Sequence, residues 1–297
     1  MWVFLSIISA FFLGIYDVMK KISLNGNAVL PVLLVSTLSG AIIFLFPYLL
    51  SEFSLLNPNT LFYVPSISIE DHLLIALKTV IVVSSWILSF FALKNLPITI
   101  VSPIRSTSPL WTLIGALIIF KESLNYLQLL GILITLAFFY LFSTAGRLEG
   151  LSFKNNKYLW FIIFGTLIAA VSGLYDKFLL KRVDRMAVQT FFSFYQLLLM
   201  IPIVAFLWWP KRKKYTPFVF RWSIPMIGLF LALADFFYFY ALTYPEALIS
   251  VITALRRASV VVAFIFGAYL FKEKNIKRKA IYLLGILVGV MLLIFGK

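Results

Sequence analysis

The chain has no cysteine, a single histidine, and only 11 acidic residues against 26 lysines and arginines. Without cysteine there are no disulfides, thiolate nucleophiles or cysteine metal sites, and the redox compartment is left open. The one histidine, His72, stands without an HExxH motif or a paired acid and base, which argues against an enzyme. No GxxxxGK[ST] loop is present, so no ATP-driven step is visible. Charged residues of either sign make up only 12% of the 297 positions. The net charge of +15 sits in short caps and loops such as Lys211 to Lys214 and Lys272 to Lys279, so it reads as a topology signal and a contact with anionic lipid, not as a nucleic-acid surface.

What is abundant is apolar surface: 62% of residues are hydrophobic and the mean hydropathy is +1.02. The hydrophobic runs have the length of spanning helices, not that of the short alternating segments of an outer-membrane barrel. The expected fold is an all-α membrane protein of ten transmembrane helices, at roughly 2–19, 29–50, 72–94, 98–120, 124–144, 158–180, 187–209, 222–243, 246–271 and 278–296. The first run follows the N-terminus without a basic segment, which reads as a first helix and not a cleaved signal.

Two stretches repeat one pattern at a constant offset. Thr99, Ser102, Arg105 and Ser108 match Ser250, Thr253, Arg256 and Ser259, and each stretch runs on into Phe-Lys-Glu, at 120–122 and 271–273. Gly14-Ile-Tyr16-Asp17 likewise matches Gly173-Leu-Tyr175-Asp176, and Leu-Gly-Ile-Leu recurs at 130–133 and 284–287. The chain is therefore read as a duplication: a first five-helix repeat over 1–144, a polar linker over 145–157 and a second repeat over 158–297. An odd helix count per repeat sets the halves in opposite orientations, giving two inverted repeats with a solute site near mid-membrane. Most loop lysines and arginines fall in the loops joining helices 1–2, 3–4, 5–6, 7–8 and 9–10, which places those loops in the cytoplasm and both termini outside.

Arginine within a bilayer costs about 2.5 to 3.5 kcal/mol at a helix centre on insertion scales, so Arg105, Arg256 and Arg257 should face a shared interior. Their forked donors suit a phosphate or carboxylate, and Thr99, Ser102, Ser250 and Thr253 lie on the same helical stripes to fill remaining acceptors. The competing reading pairs the arginines with Asp17, Asp176 or Asp235. Asp235, well inside helix 8, is a candidate for proton coupling or for a counter-ion. Asp17 and Asp176, near helix ends, are read as interfacial pairs with Lys20 and Lys21 or with Lys177. Lys78 is expected to snorkel towards Asp71 and water, outside the site. Pro103 and Pro109 should bend helix 4 near Arg105, whereas Val260 stands at the position cognate to Pro109, so helix 9 is expected to lack that kink. Among 31 Phe, 14 Tyr and 7 Trp, the cavity candidates are Tyr16, Tyr175, Trp86, Tyr195, Gln196 and Tyr238. Gly285 and Gly289 form a GxxxG pattern that fits both internal packing and a homodimer.

The five-plus-five count, the Ala92-Leu93 and Ala241-Leu242 pairs, and helices 4 and 9 closing on Gly-rich apolar runs before Lys-Glu resemble the drug/metabolite transporter superfamily, specifically its ten-helix proteins built from two EamA-like repeats. That resemblance implies cytoplasmic termini, against the charge count. Arg105 with Arg256 and Arg257 looks like the phosphate clamp of triose-phosphate and nucleotide-sugar translocators, which implies an anionic solute. The expected function is a secondary transporter of a small polar anion working by alternating access, without cofactor or metal, its partners being the solute and the lipid bilayer. An exporter of amino acids, drugs or other amphipathic solutes is the alternative, and a phospholipid flippase a third. A bacterial inner membrane is the expected location.

Overall fold

The computed structural model describes residues 1–96, 104–105, 107–143, 156–212, 216–271 and 276–296. The expected linker over 145–157 lies almost wholly outside them. The described residues form α1 (Trp2–Leu24), α2 (Val29–Glu52), α3 (Ile69–Asn95), α4 (Ser108–Ile119), α5 (Tyr126–Ser143), α6 (Lys157–Leu179), α7 (Arg185–Ile203), α8 (Ser223–Leu242), α9a (Ile249–Leu255), α9b (Ser259–Phe271) and α10 (Ile276–Phe295). With α9a and α9b taken as one broken helix, these are the ten helical segments read from the sequence. Six of them are long and apolar enough to cross a membrane, and α4, α5 and α10 are shorter apolar helices.

Starts and stops follow local chemistry. Ser68 caps α3 by accepting from the Asp71 amide, Asn156 caps α6 from Tyr158, and Asp184 caps α7 from Met186 and Ala187. Past Pro202, which has no amide to donate, α7 loosens into a π-turn over Val204–Trp208 and a 3-10 turn over Trp209–Lys211. The ninth helix departs from expectation. It is interrupted by a 3-10 turn over Arg256–Ala258, although it has no proline there. The Thr253 hydroxyl donates to the carbonyls of Ile249 and Ser250, and back-bonding of this kind competes with the helical ladder and bends it.

Packing follows an exchange of the two halves. Helix α1 lies on α8 as α6 lies on α3; α1 lies on α9b as α6 lies on α4; α2 lies on α8 as α7 lies on α3. The remaining large contacts, α2 with α7 and α5 with α10, join each helix to its own counterpart. Hydrogen bonds pin two of these seams: Ser9 Oγ donates to Ala234 O at 2.7 Å, and Ser85 Oγ to Gly165 O at 2.8 Å. The main apolar core gathers at one end of the bundle, from Leu5, Ile75, Leu179, Val188, Leu242 and Ile249 to Leu255. Large apolar side chains such as Phe46, Ile118 and Phe206 point outward, as lipid contact requires.

The GxxxG pattern is used inside the chain. A Cβ on Gly289 would fall 2.3 Å from Thr135 Oγ1 and 2.9 Å from Gly131 O, and one on Gly285 would fall 2.2 Å from the Phe138 ring. The glycines thus permit the close approach of α5 and α10. Gly289→Val should force them apart and lower the unfolding midpoint in detergent, at a cost of about 1–3 kcal/mol for overpacking; an unchanged midpoint would show that this seam does not hold the fold.

Candidate solute site

Beside the apolar core, walls contributed by α1, α3 to α8 and both parts of α9 line a partly open cavity of about 450 Å³. Its lining is unusually charged for a membrane interior. Five cations, Lys20, Lys78, Arg105, Arg256 and Arg257, face three carboxylates, Asp17, Asp176 and Asp235.

Each carboxylate is already matched. Asp17 accepts from Lys20 Nζ at 3.1 Å, one helical turn along α1. Asp235 Oδ1 lies 3.1 Å from Arg256 Nη2, and the guanidinium sits 4.1 Å from the centre of the Tyr238 ring. Asp176 accepts from Lys78, whose ammonium also lies 4.2 Å from the Phe192 ring centre and 5.0 Å from that of Phe239. Two guanidiniums are left over. Among the described residues neither Arg105 nor Arg257 forms an ion pair, and Arg257 Nε is buried with no hydrogen-bond partner. One comes from each half: Arg105 precedes α4, and Arg257 stands in the 3-10 turn between α9a and α9b. The two differ in setting: Arg105 is exposed, whereas the Arg257 Nε is a buried charged donor, which is costly without a partner.

Lys78 corrects the sequence reading. It is 2% exposed and bonded to Asp176 in the cavity wall; it does not snorkel towards Asp71. Asp176 is likewise no interfacial partner of Lys177. A signal was present: Lys78, Val82 and Trp86 fall at i, i+4 and i+8 on one helical face, and all three line the cavity. Tyr16, Asp17, Trp86, Arg105, Asp176, Asp235, Tyr238, Thr253, Arg256 and Arg257 are brought together around this space. Gln196 lines a side arm of it. Ser108 and Ser259 of the repeated pattern line it as well, and Thr112 and Ser172 add hydroxyls not anticipated.

Three candidates lie elsewhere. Tyr175 donates to Leu74 O at 3.1 Å, because its ring sits at the end of α6 against the start of α3. The Tyr195 hydroxyl pairs with His72 Nδ1 at 2.8 Å. Ser250 donates to Glu122 Oε2, so its hydroxyl is engaged away from the cavity. Thr99 and Ser102 lie outside the described residues, as does Pro103, so the expected bend of helix 4 cannot be placed on it.

Glu122 explains the first Phe-Lys-Glu triplet. Helix α4 ends at Ile119, and Lys121 takes a left-handed conformation (φ 51°), turning Glu122 back into the bundle. There its carboxylate accepts from the Ile249 amide at 2.7 Å, the Ser250 amide at 3.3 Å and Lys177 Nζ at 2.6 Å. An acidic group at the N-terminus of α9a meets both its free amides and its dipole. Lys177 also donates to Ala247 O at 2.8 Å. This seam joins the ends of α4 and α6 to the start of α9a, whereas Asp176 and Thr253, further inside their helices, line the cavity. At the same end Arg182 bridges Glu70 at 2.7 Å and Asp71 at 3.2 Å, and the hydrogen bond to Glu70 raises the Arg182 pKa above its ordinary value.

An all-helical bundle with outward apolar faces, packed in two exchange-related halves around a polar cavity, is the build of a multi-pass membrane protein, and its family match makes it a transporter of small solutes. The family model for the EamA-like transporter family matches residues 1–144 and again 156–295. The chain belongs to that family, within the drug/metabolite transporter superfamily, and carries two EamA repeats. A solved structure described only as the crystal structure of a protein is similar to it, with a TM-score of 0.71 at 16% identity over 98% of this chain and 94% of the other. That likeness bears on the fold alone. No curated protein matches the chain.

Proposed function

We propose that the protein is a secondary transporter of a small polar anion, taken up between the two repeats and released by alternating access. The observation that carries this reading is the excess of cations in the cavity: every carboxylate there has a basic partner, and Arg105 and Arg257 have none among the described residues. Two surplus positive charges suit a dianion such as a phosphate monoester or a dicarboxylate. A guanidinium grips two oxygens of either group through paired donors. Repeats in opposite orientation would supply the rocking halves, and the Glu122 seam would close one end of the path.

Charge-matched pairs test the reading on the purified chain. A sugar phosphate should raise the melting temperature and its parent sugar should not, or a dicarboxylate should do so and its diamide should not. At one hundred times its dissociation constant a ligand adds about 2.7 kcal/mol of stability. Equal stabilisation by the neutral members would overturn the proposal.

A further inference from the structure

The cavity has a side arm of different chemistry. It runs between α2, α7 and α8, shares Tyr16, Lys20, Trp86, Phe192, Leu231 and Asp235 with the charged cavity, and holds about 40 Å³. Beyond those shared residues its walls are mainly apolar or small, including Val32, Leu33, Phe44, Ile227, Gly228 and Ala232. The Ser36, Thr37 and Ser193 hydroxyls and the Gln189 amide are turned to the backbone, and Gln196 adds one further amide to the lining. Ser36 donates to Leu33 O, Thr37 to Leu34 O, Ser193 to Gln189 O and Gln189 Nε2 to Ala232 O, at 2.8–2.9 Å. A group entering this arm from the charged cavity therefore meets carbon and few free donors.

We infer that the transported anion carries a compact apolar substituent, which lies in the arm while its charged group rests on Arg105 and Arg257. The inference rests on the anion reading above and specifies the substrate class: an amphiphilic anion held in preference to a polyhydroxylated one. The arm has room for about three water-sized groups, taking 10–15 Å³ for each. A branched chain of about three or four carbons fits that volume.

Gly40 supplies the test. It lines the arm, and a Cβ built on it meets nothing within 4 Å, so Gly40→Leu fills open space without a clash at its first carbon. Two series of dianions, monoalkyl phosphates and alkylmalonates, each from methyl through isobutyl to decyl, are titrated against the purified full chain and against Gly40→Leu. Affinity in the parent should rise about fourfold per buried methylene up to isobutyl and then fall at decyl. In Gly40→Leu the gain should vanish while the methyl compounds bind as in the parent. Methyl and isobutyl compounds binding alike in the parent would overturn the arm's role and leave the anion reading standing. Affinity still climbing at decyl would overturn the compact substituent in favour of a path open to lipid tails. Binding by no member of either series while a sugar phosphate still stabilises the chain would overturn the arm's role and leave the anion reading standing; binding by none of these anions would overturn both.

Discussion

Lys78→Met should lower the unfolding midpoint in detergent by on the order of 10 °C, and adding Asp176→Leu should recover most of that loss. The pair is deep in the wall, with side-chain exposures of 2% and 8%. Removing one partner of a buried ion pair leaves the other charge uncompensated, at about 3–5 kcal/mol, or roughly 2–4 °C per kcal/mol for a large domain. Replacing both partners by apolar groups of similar size is often neutral or stabilising, because the desolvation of two charges disappears together. Methionine suits the position, since Lys78 runs between the rings of Phe192 and Phe239 and a thioether packs well against aromatic edges. The check is the melting temperature of the parent, each single variant and the double variant. A double variant as unstable as Lys78→Met would show that the pair's charge balance is not what holds α3 to α6.

Glu122→Ala should open the end of the bundle where Glu122 ties α4 and α6 to α9a. Its carboxylate receives Lys177, the amides of Ile249 and Ser250, and the Ser250 hydroxyl, so truncation strands one buried cation and two helix-end amides. The natural chain has no cysteine, so one introduced at Ala247, 1% exposed beside the seam, reports access cleanly. Its labelling by a membrane-impermeant maleimide should rise at least about tenfold in Glu122→Ala, the effect of 1.4 kcal/mol on a two-state equilibrium. A fall in melting temperature with unchanged labelling would make Glu122 a helix cap and no latch.

The helices were legible because apolar runs of spanning length are a strong signal, and the duplication because it repeats rare features, arginine among hydroxyls and a Phe-Lys-Glu end. Partnerships across the halves were not legible. Lys78 and Asp176 stand 98 positions apart, and only the register of α3 against α6 brings them together. Helical stripes put Ser250 beside Thr253 and Arg257, but they do not show that the turn at Lys121 returns Glu122 to the Ser250 hydroxyl. The break in the ninth helix was missed because proline was taken as the only cause of a bend, whereas the Thr253 hydroxyl bonds back to the carbonyls of α9a just before the turn. Tyr175 shares its motif with Tyr16, yet only Tyr16 faces the cavity, so the duplication carries backbone layout further than side-chain use.

Exchange in proteoliposomes tests the anion site most directly. Vesicles loaded with unlabelled dianion should take up labelled dianion through the parent protein. Arg105→Ala and Arg257→Ala, which leave no carboxylate stranded among the described residues, should each cut uptake by about tenfold or more, as loss of a charge-assisted hydrogen bond of about 1.5–3 kcal/mol requires. Their melting temperatures without solute should stay near that of the parent. Uptake through both variants at the parental rate would contradict the account, leaving the two guanidiniums without a solute to hold.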